Sequence, residues 1–340
     1  MQFALMLTLS ERYKPGTNMA KSLRDATHLV TLAREYGFDG IMSGEHILAY
    51  PHQRPAPIPA LSYLSAAAEG MHVGTSVLLL PLHPPVQVAE DFAALDAMTN
   101  GRAILGVGLG YREEEFGAFG INPKERVGRM YEGLDVIKQL WTQDEMEFNG
   151  KYYRVPRVKP TAKPVQRPHV PIWVGAGVDA AVQRVAQRGY TWLVPPPRVA
   201  LSEIAAQLGT YRDVLKQHGH ALPAVQPMRF DGYLAENSDA AWKEAEALFD
   251  WHYGVLHQWG HGSERKPGDA PGNTFREAAG DRYVIGTPDD AIRTFERCER
   301  ELGVNFIILR LNYVGMSFED KVRQIRLFGE GVVPHFKKKR

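Results

Sequence analysis

Two residues that can move protons stand side by side early in the chain. Glu45 and His46 follow a short apolar run at 40–43 and precede a stretch rich in proline. Histidines are more often structural than catalytic. A neutral imidazole at the end of a strand, however, can take and return a proton near neutral pH, so His46 is the candidate general acid–base group. Two glycine clusters carry the second kind of chemistry: Gly106-Val107-Gly108-Leu109-Gly110-Tyr111 and Gly175-Ala176-Gly177-Val178. Glycine at a strand end lets a flat ring or a phosphate approach the backbone without meeting a Cβ. The second cluster also opens a helical stretch, whose first N–H groups attract an anion. A tight turn with no ligand fits the same residues, and at this point both readings stay open.

Residues 175–180 also fit G-x-G-x-x-A between a strand and a helix, the dinucleotide fingerprint. That fingerprint requires an acidic residue about 20 positions on. Here the chain has Val194-Pro195-Pro196-Pro197, which argues against an NAD dehydrogenase with an open sheet. Arg310 closes the last apolar run and is expected to touch an anionic substrate or a phosphate. There is no HExxH and no paired-cysteine spacing. His252, His257 and His261 spread over a helix end and a loop, so no metal site is expected. The single cysteine, Cys298, excludes an intramolecular disulfide, and its charged helical setting argues against a nucleophile.

The charge balance removes other functions. With 40 basic and 39 acidic residues the net charge is +1, which leaves no electrostatic footprint for nucleic acid. The basic end at 337–340 reads as a solvated terminus. No apolar run reaches the roughly 20 residues that span a bilayer. Met1-Gln2-Phe3-Ala4-Leu5-Met6 does not read as a secretory signal, so the expected compartment is the cytoplasm.

The elements that must position these groups alternate with regularity. Apolar runs without helical period begin at 3, 40, 73, 103, 172, 192, 228 and 305, and the third runs to Leu80. Helical spacing is read over 18–36, 86–98, 126–141, 180–188, 201–218, 239–256, 289–302 and 318–328. Eight strands with helical crossovers predict an α/β chain closed as a (β/α)8 TIM barrel, one domain over 1–340. An open doubly wound sheet is the rival, and the count of eight favours the barrel. Two segments break the rhythm. Residues 145–156 predict a hairpin with Asn149-Gly150 as a type I′ turn. Residues 257–281 are polar and glycine-rich with no apolar period, and a loop this long in a compact domain forms a lid or is disordered. Trp251, Trp259, Arg265 and Lys266 give it groups for an apolar or an anionic ligand.

The order of motifs resembles the bacterial-luciferase-like, flavin-dependent monooxygenases. The residues that carry the resemblance are 74–81, Ala89-Glu90-Asp91, Leu95-Asp96, Gly101-Arg102, 106–111, Tyr131-Glu132-Gly133, Leu140-Trp141, 171–175, Gly286-Thr287-Pro288 and 333–336. The resemblance implies a barrel that binds reduced FMN, or the deazaflavin coenzyme F420, at its C-terminal mouth, with a lid after the seventh strand. The activity it implies first is an FMN- and O2-dependent monooxygenase acting on a small organic substrate. Reduced flavin would be supplied by a separate NAD(P)H-dependent reductase. F420-dependent hydride transfer on the same barrel and a flavin-binding protein without turnover are the alternatives. By position, His46 matches the family's active-site histidine. Thr75 and Ser76 match the pair beneath the flavin ring, where some members have a non-prolyl cis peptide. Gly177-Val178 matches the phosphate turn, and Gly108, Tyr111, Gly175 and Ala176 line the same site. Leu109 stands where luciferase has an arginine, and the phosphate turn lacks the family's serine and threonine. Both departures fit a flavin that diffuses in as co-substrate. Pairing of the outer helices would make a homodimer.

Overall fold

The computed structural model describes residues 1–196, 199–260 and 275–338. Eight parallel strands form its centre: β1 (Gln2–Met6), β2 (Gly40–Ser43), β3 (His72–Thr75), β4 (Ala103–Val107), β5 (Ile172–Gly175), β6 (Thr191–Leu193), β7 (Pro227–Leu234) and β8 (Phe306–Arg310). They pair in the order β6-β5-β4-β3-β2-β1-β8-β7. A parallel bridge between Val194 and Met228 joins β6 back to β7. It is held by Val194 N to Pro227 O at 3.1 Å and Arg229 N to Val194 O at 2.9 Å. The sheet therefore curls until its two ends meet, as the eightfold alternation predicts.

Both faces of each strand are buried, which is why these runs read as continuously apolar. Successive side chains point to opposite faces. Ala4, Met6, Met42, Ile104, Trp173, Leu193, Phe306 and Ile308 pack together inside the ring. Phe3, Leu5, Ile41, Leu105, Ile307 and Leu309 face the surrounding helices. Phe3 meets Phe295, Phe328 and Phe336 with ring centroids 5.2–5.4 Å apart, tying β1 to the last helices. The helix Pro288–Arg297 starts on a capping box in which the Thr287 hydroxyl and the Asp290 carboxylate each satisfy a backbone N–H of the other. Among the described residues no helix is long and apolar enough to cross a membrane.

Several local expectations are corrected. The third strand stops at Thr75, not Leu80, because the chain then turns across the top of β4, where Leu78 bridges Val107. A helix, Pro57–Leu64, fills the connection between β2 and β3, where no helical period was read; its prolines disguise an N-terminal start. The helix expected over 289–302 ends at Arg297 and continues as a five-residue π turn to Leu302. A three-residue strand, Val284–Gly286, pairs with β7 and is too short to show a period. The hairpin forms from Met146–Asn149 and Arg154–Val158, but its turn is not type I′. That turn needs positive φ at both central residues, and neither Asn149 nor Gly150 has it. The Glu132 carboxylate organises the turn instead, accepting N–H bonds from Lys151, Tyr152 and Tyr153 at 3.1, 2.7 and 2.7 Å.

Of the expected lid, 261–274 lies outside the described residues. The flanks are helical: Ser238–Gln258 before it and Phe275–Ala279 after it. Phe275 packs on Phe249 and Trp242 at 5.8 and 5.5 Å in an aromatic cluster with Tyr253, Tyr283 and Tyr313.

Candidate active site

The C-terminal ends of the strands converge on one mouth, and its floor is set by how closely β3 and β4 approach. A Cβ on Gly106 would sit 2.0 Å from the Thr75 carbonyl oxygen, and one on Gly108 would sit 2.6 Å from Val77 Cγ2. Only glycine permits that approach. The Thr75 hydroxyl locks the crossing: it donates to Gly106 O at 2.7 Å and accepts from Gly106 N at 3.1 Å. The following peptide bond, Ser76–Val77, is cis and non-prolyl. Ser76 is buried, and its Oγ has no hydrogen-bond partner among the described residues.

The turn after β5 is open in a different way. Gly177 and Val178 are exposed, and a Cβ on Gly177 would meet nothing nearer than Pro195 Cγ at 4.0 Å. The helix Asp179–Gln187 begins there with no side-chain cap, so its first N–H groups remain available to a ligand. Asp179 in its first turn opposes a bound anion, although its Oδ1 is held by Gln207 Nε2 at 2.7 Å. Ala176 is buried, and its carbonyl oxygen accepts from Trp192 Nε1 at 2.9 Å, which fixes the start of the turn.

His46 stands at the opposite wall. Its Nδ1 lies 3.1 Å from Glu115 Oε1, and the same carboxylate accepts from Ile47 N at 3.0 Å and from Arg112 at 3.3 Å. Glu115 is fully buried on the short helix Glu113–Ala118. With a carboxylate at Nδ1, that nitrogen carries the ring proton and Nε2 keeps its lone pair. The imidazole is enclosed by Trp259 at 4.9 Å and Tyr111 at 5.7 Å, and Arg112 sits 4.4 Å over the same indole. Burial lowers its pKa, with Arg54 and Arg112 pushing the same way and Glu115 opposing them. His46 is therefore a neutral base at pH 7. Its neighbour Glu45 is spent on structure, accepting from Leu79 N at 2.8 Å and meeting His83 Nε2 at 2.9 Å.

Arg310 ends β8 at this mouth, but it does not wait unpaired. It lies 3.6 Å from Asp231 and donates to Nε2 of His252, whose own pKa burial drives well below the usual range. Asp231 also accepts from the Tyr253 hydroxyl at 2.7 Å. Cys298 is buried under the outer helices and its thiol is pushed up to about 12 by burial, far from the mouth chemistry. Among the described residues no group of three or more His, Cys, Asp or Glu could hold a metal ion.

The site thus brings His46, Tyr111, Thr75, Ser76 and Gly108 around one floor, with Gly175–Val178 across the mouth and Arg310 on the far rim. Glu115, Arg112, Arg54, Asp231 and His252 escape sequence reasoning. They are ordinary charged residues on helices and loops, and only the fold carries them to the strand ends. Trp259 had a weak signal, an aromatic beside a glycine-rich loop.

The profile of the luciferase-like monooxygenase family matches residues 1–305, and the chain belongs to that family. It is an enzyme of the flavin-dependent oxidoreductase class. It is 27% identical over 324 residues to an F420-dependent glucose-6-phosphate dehydrogenase of Nakamurella multipartita, covering 91% of each chain. An uncharacterised protein of Sinorhizobium fredii, y4vJ, is 26% identical over 216 residues, 64% of this chain and 60% of that one. The crystal structure of monooxygenase RslO1 from Streptomyces bottropensis superposes with a TM-score of 0.86 at 25% identity, over 99% of this chain and 100% of that one. The oxygenating constituent of 3,6-diketocamphane monooxygenase from Pseudomonas putida, in complex with FMN, shares the fold with a TM-score of 0.80 at 15% identity, covering 98% of each chain.

Proposed function

We propose that the chain is a monooxygenase that takes reduced FMN as a diffusing co-substrate and oxidises a small organic molecule with O2. The reading rests on one observation: a neutral, carboxylate-held His46 walled by Trp259 and Tyr111 beside a glycine-floored strand crossing. A reduced flavin that meets oxygen productively needs a flat apolar seat and little water, since water diverts reactive intermediates. The full-length likeness to a monooxygenase supports the same side.

The residues present fit a flavin. The unpartnered Ser76 Oγ and the close β3–β4 crossing suit a ring lying over the end of β3, with Thr75, Gly108 and Tyr111 about it. Gly175, Ala176, Gly177 and Val178 would hold the phosphate through backbone N–H groups alone. Bound reduced FMN would supply two electrons, so that one atom of O2 enters the substrate and the other leaves as water. His46 Nε2 would accept a proton from the substrate and return it, while Glu115 and Arg112 hold the ring in place. Without a cation at Leu109 or a side-chain cap at Val178, the hold on the phosphate is modest. That fits reduced flavin delivered by a separate NAD(P)H-dependent reductase.

F420-dependent hydride transfer is the second reading, and the match to an F420-dependent dehydrogenase over 91% of both chains favours it. Parallel anaerobic titrations with reduced FMN and reduced F420, followed by the flavin spectra, separate the two. Saturable binding of reduced FMN is expected. Binding of reduced F420 alone replaces the proposal with the second reading.

A further inference from the structure

The rim formed by β2, β1 and β8 carries more positive charge than it neutralises. Arg54 reaches back to donate to the carbonyl of Gly44, which places its guanidinium at the C-terminal end of β2. Among the described residues no carboxylate lies within ion-pair distance of it, and its Nε is buried without a hydrogen-bond partner. Arg310, 8% exposed at the end of β8, also has a buried and unpartnered Nε. Its one ion-pair carboxylate among the described residues, Asp231, is shared with Arg229 at 3.9 Å. Strand β1 runs between β2 and β8, and its end is tied to β8 by Thr8 N to Asn312 Oδ1 at 2.8 Å and Thr8 Oγ1 to Asn312 O at 2.7 Å. His52 belongs to the same patch, stacked on Trp251 at 5.0 Å, and its Nε2 is a third buried ring or guanidinium nitrogen with no partner.

Guanidinium groups taken out of water without a counter-charge are costly. Burial first, and then mutual repulsion, disfavours the charged forms of these groups. Arg54 is lowered to about 10, first by burial and then by the charge of Arg310, with Glu45 and Glu115 opposing the shift. His52 is lowered to about 4, first by burial and then by Arg54. Each of the three groups has a donor or a ring nitrogen to spare; Asp231 pairs with Arg310, while Glu45 and Glu115 offset Arg54 only from beyond ion-pair distance.

We infer that Arg54 and Arg310, together with His52, form a subsite for a compact anionic group of the substrate, such as a carboxylate, sulfonate or phosphate. The inference rests on the oxidoreductase reading of the mouth only in calling this ligand the substrate. It is distinct from the cofactor's phosphate. In the strand order β6-β5-β4-β3-β2-β1-β8-β7, the β5 turn is three strands from β2 and three from β8, across the barrel. An anionic head at β2 and β8 would direct the rest of the substrate over His46, whose strand is the same β2.

The test needs no flavin. The thermal midpoint of the apoprotein is followed at pH 7 against acetate, methanesulfonate and inorganic phosphate, with sodium chloride at matched ionic strength as reference. At least one of the three is expected to raise the midpoint saturably beyond chloride. Arg54→Gln is expected to weaken that anion at least about tenfold, the equivalent of losing one charge-assisted hydrogen bond. Arg54→Lys should recover part of the loss. Arg310→Gln should act in the same direction, and if its loss from Asp231 unfolds the protein, the Arg54 pair decides alone. No saturable effect beyond chloride overturns the inference. So does undiminished protection in Arg54→Gln, the result expected if the anion sat at the β5 turn. A failed FMN titration would remove the cofactor reading and leave this result standing, and the reverse holds as well.

Discussion

The two sides of the barrel mouth are built by opposite rules. On one side, residues 75–78, 107–110 and 175–178 at the ends of β3, β4 and β5 include no ionisable side chain. Backbone approach and small residues do the shaping there. On the other side, Glu45, His46, Arg54, Asp231 and Arg310 crowd the ends of β2, β7 and β8, joined by His252 and Glu115 from helices. The uncharged side suits a planar group that must lie flat. The charged side suits a group that must be gripped and deprotonated. Under the proposed function, putting them on one rim would let a single barrel hold two ligands that must meet without competing for the same contacts.

The comparison breaks most visibly at Gly106. Gly106→Ala forces a Cβ to within 2.0 Å of the Thr75 carbonyl, which is backbone and cannot rotate away. Stability is expected to fall by about 3 kcal/mol, read as a shifted denaturant midpoint with unchanged m-value. An unshifted midpoint would mean that the floor is looser than described. On the charged side, His46→Ala should leave the midpoint almost unchanged and lower kcat by roughly 10²–10⁴, the usual worth of a general acid–base group. Unchanged turnover would remove His46 from the chemistry.

Glu115→Gln sharpens the assignment of roles. Glu115 is a positioning residue, and its carboxylate raises the pKa of His46 against burial. Its loss should move the acidic limb of the kcat/KM profile to lower pH and cost about tenfold in rate, the equivalent of one weakened hydrogen bond. A limb that stays put would mean that the carboxylate only supports the loop.

The effect that vanishes at neutral pH is on stability against pH. His52 is lowered to about 4 in the folded chain, so between that value and the ordinary histidine pKa near 6.5 the unfolded state binds more protons than the folded one. Stability is therefore fully present above about pH 6.5 and is lost as pH falls toward 4, with a slope approaching 1.4 kcal/mol per pH unit for this group. His52→Phe keeps the stack on Trp251 and should flatten the profile by that share. A profile of the same slope would assign the acid sensitivity to His46 and His252.

The barrel was legible because burial of both strand faces leaves an unmistakable apolar run, repeated eight times. Gly106 and Gly108 were legible for the same kind of reason, since a close approach demands one residue type, whereas no such approach forces glycine at 175 and 177. The charged side was not. Arg54 lies within a proline-rich stretch, Glu115 sits among three consecutive glutamates, and His252 lies on a helix 58 residues before Arg310. Nothing in local spacing says that these meet. The Asn149-Gly150 turn failed for a related reason, since the Glu132 carboxylate reaches it from another helix and replaces the local preference. Residues whose role is set by their own backbone could be read in one dimension, and residues whose role is set by a distant partner could not.

We propose that this mouth holds reduced FMN where oxygen meets it under the protein's control. Stopped-flow mixing of the anaerobic protein and reduced FMN with aerated buffer, following flavin absorbance, tests it most directly. Reoxidation is expected at a rate that depends saturably on protein concentration and differs from that of free flavin, with a further change in His46→Ala. Reoxidation at the free-flavin rate at every protein concentration would contradict it.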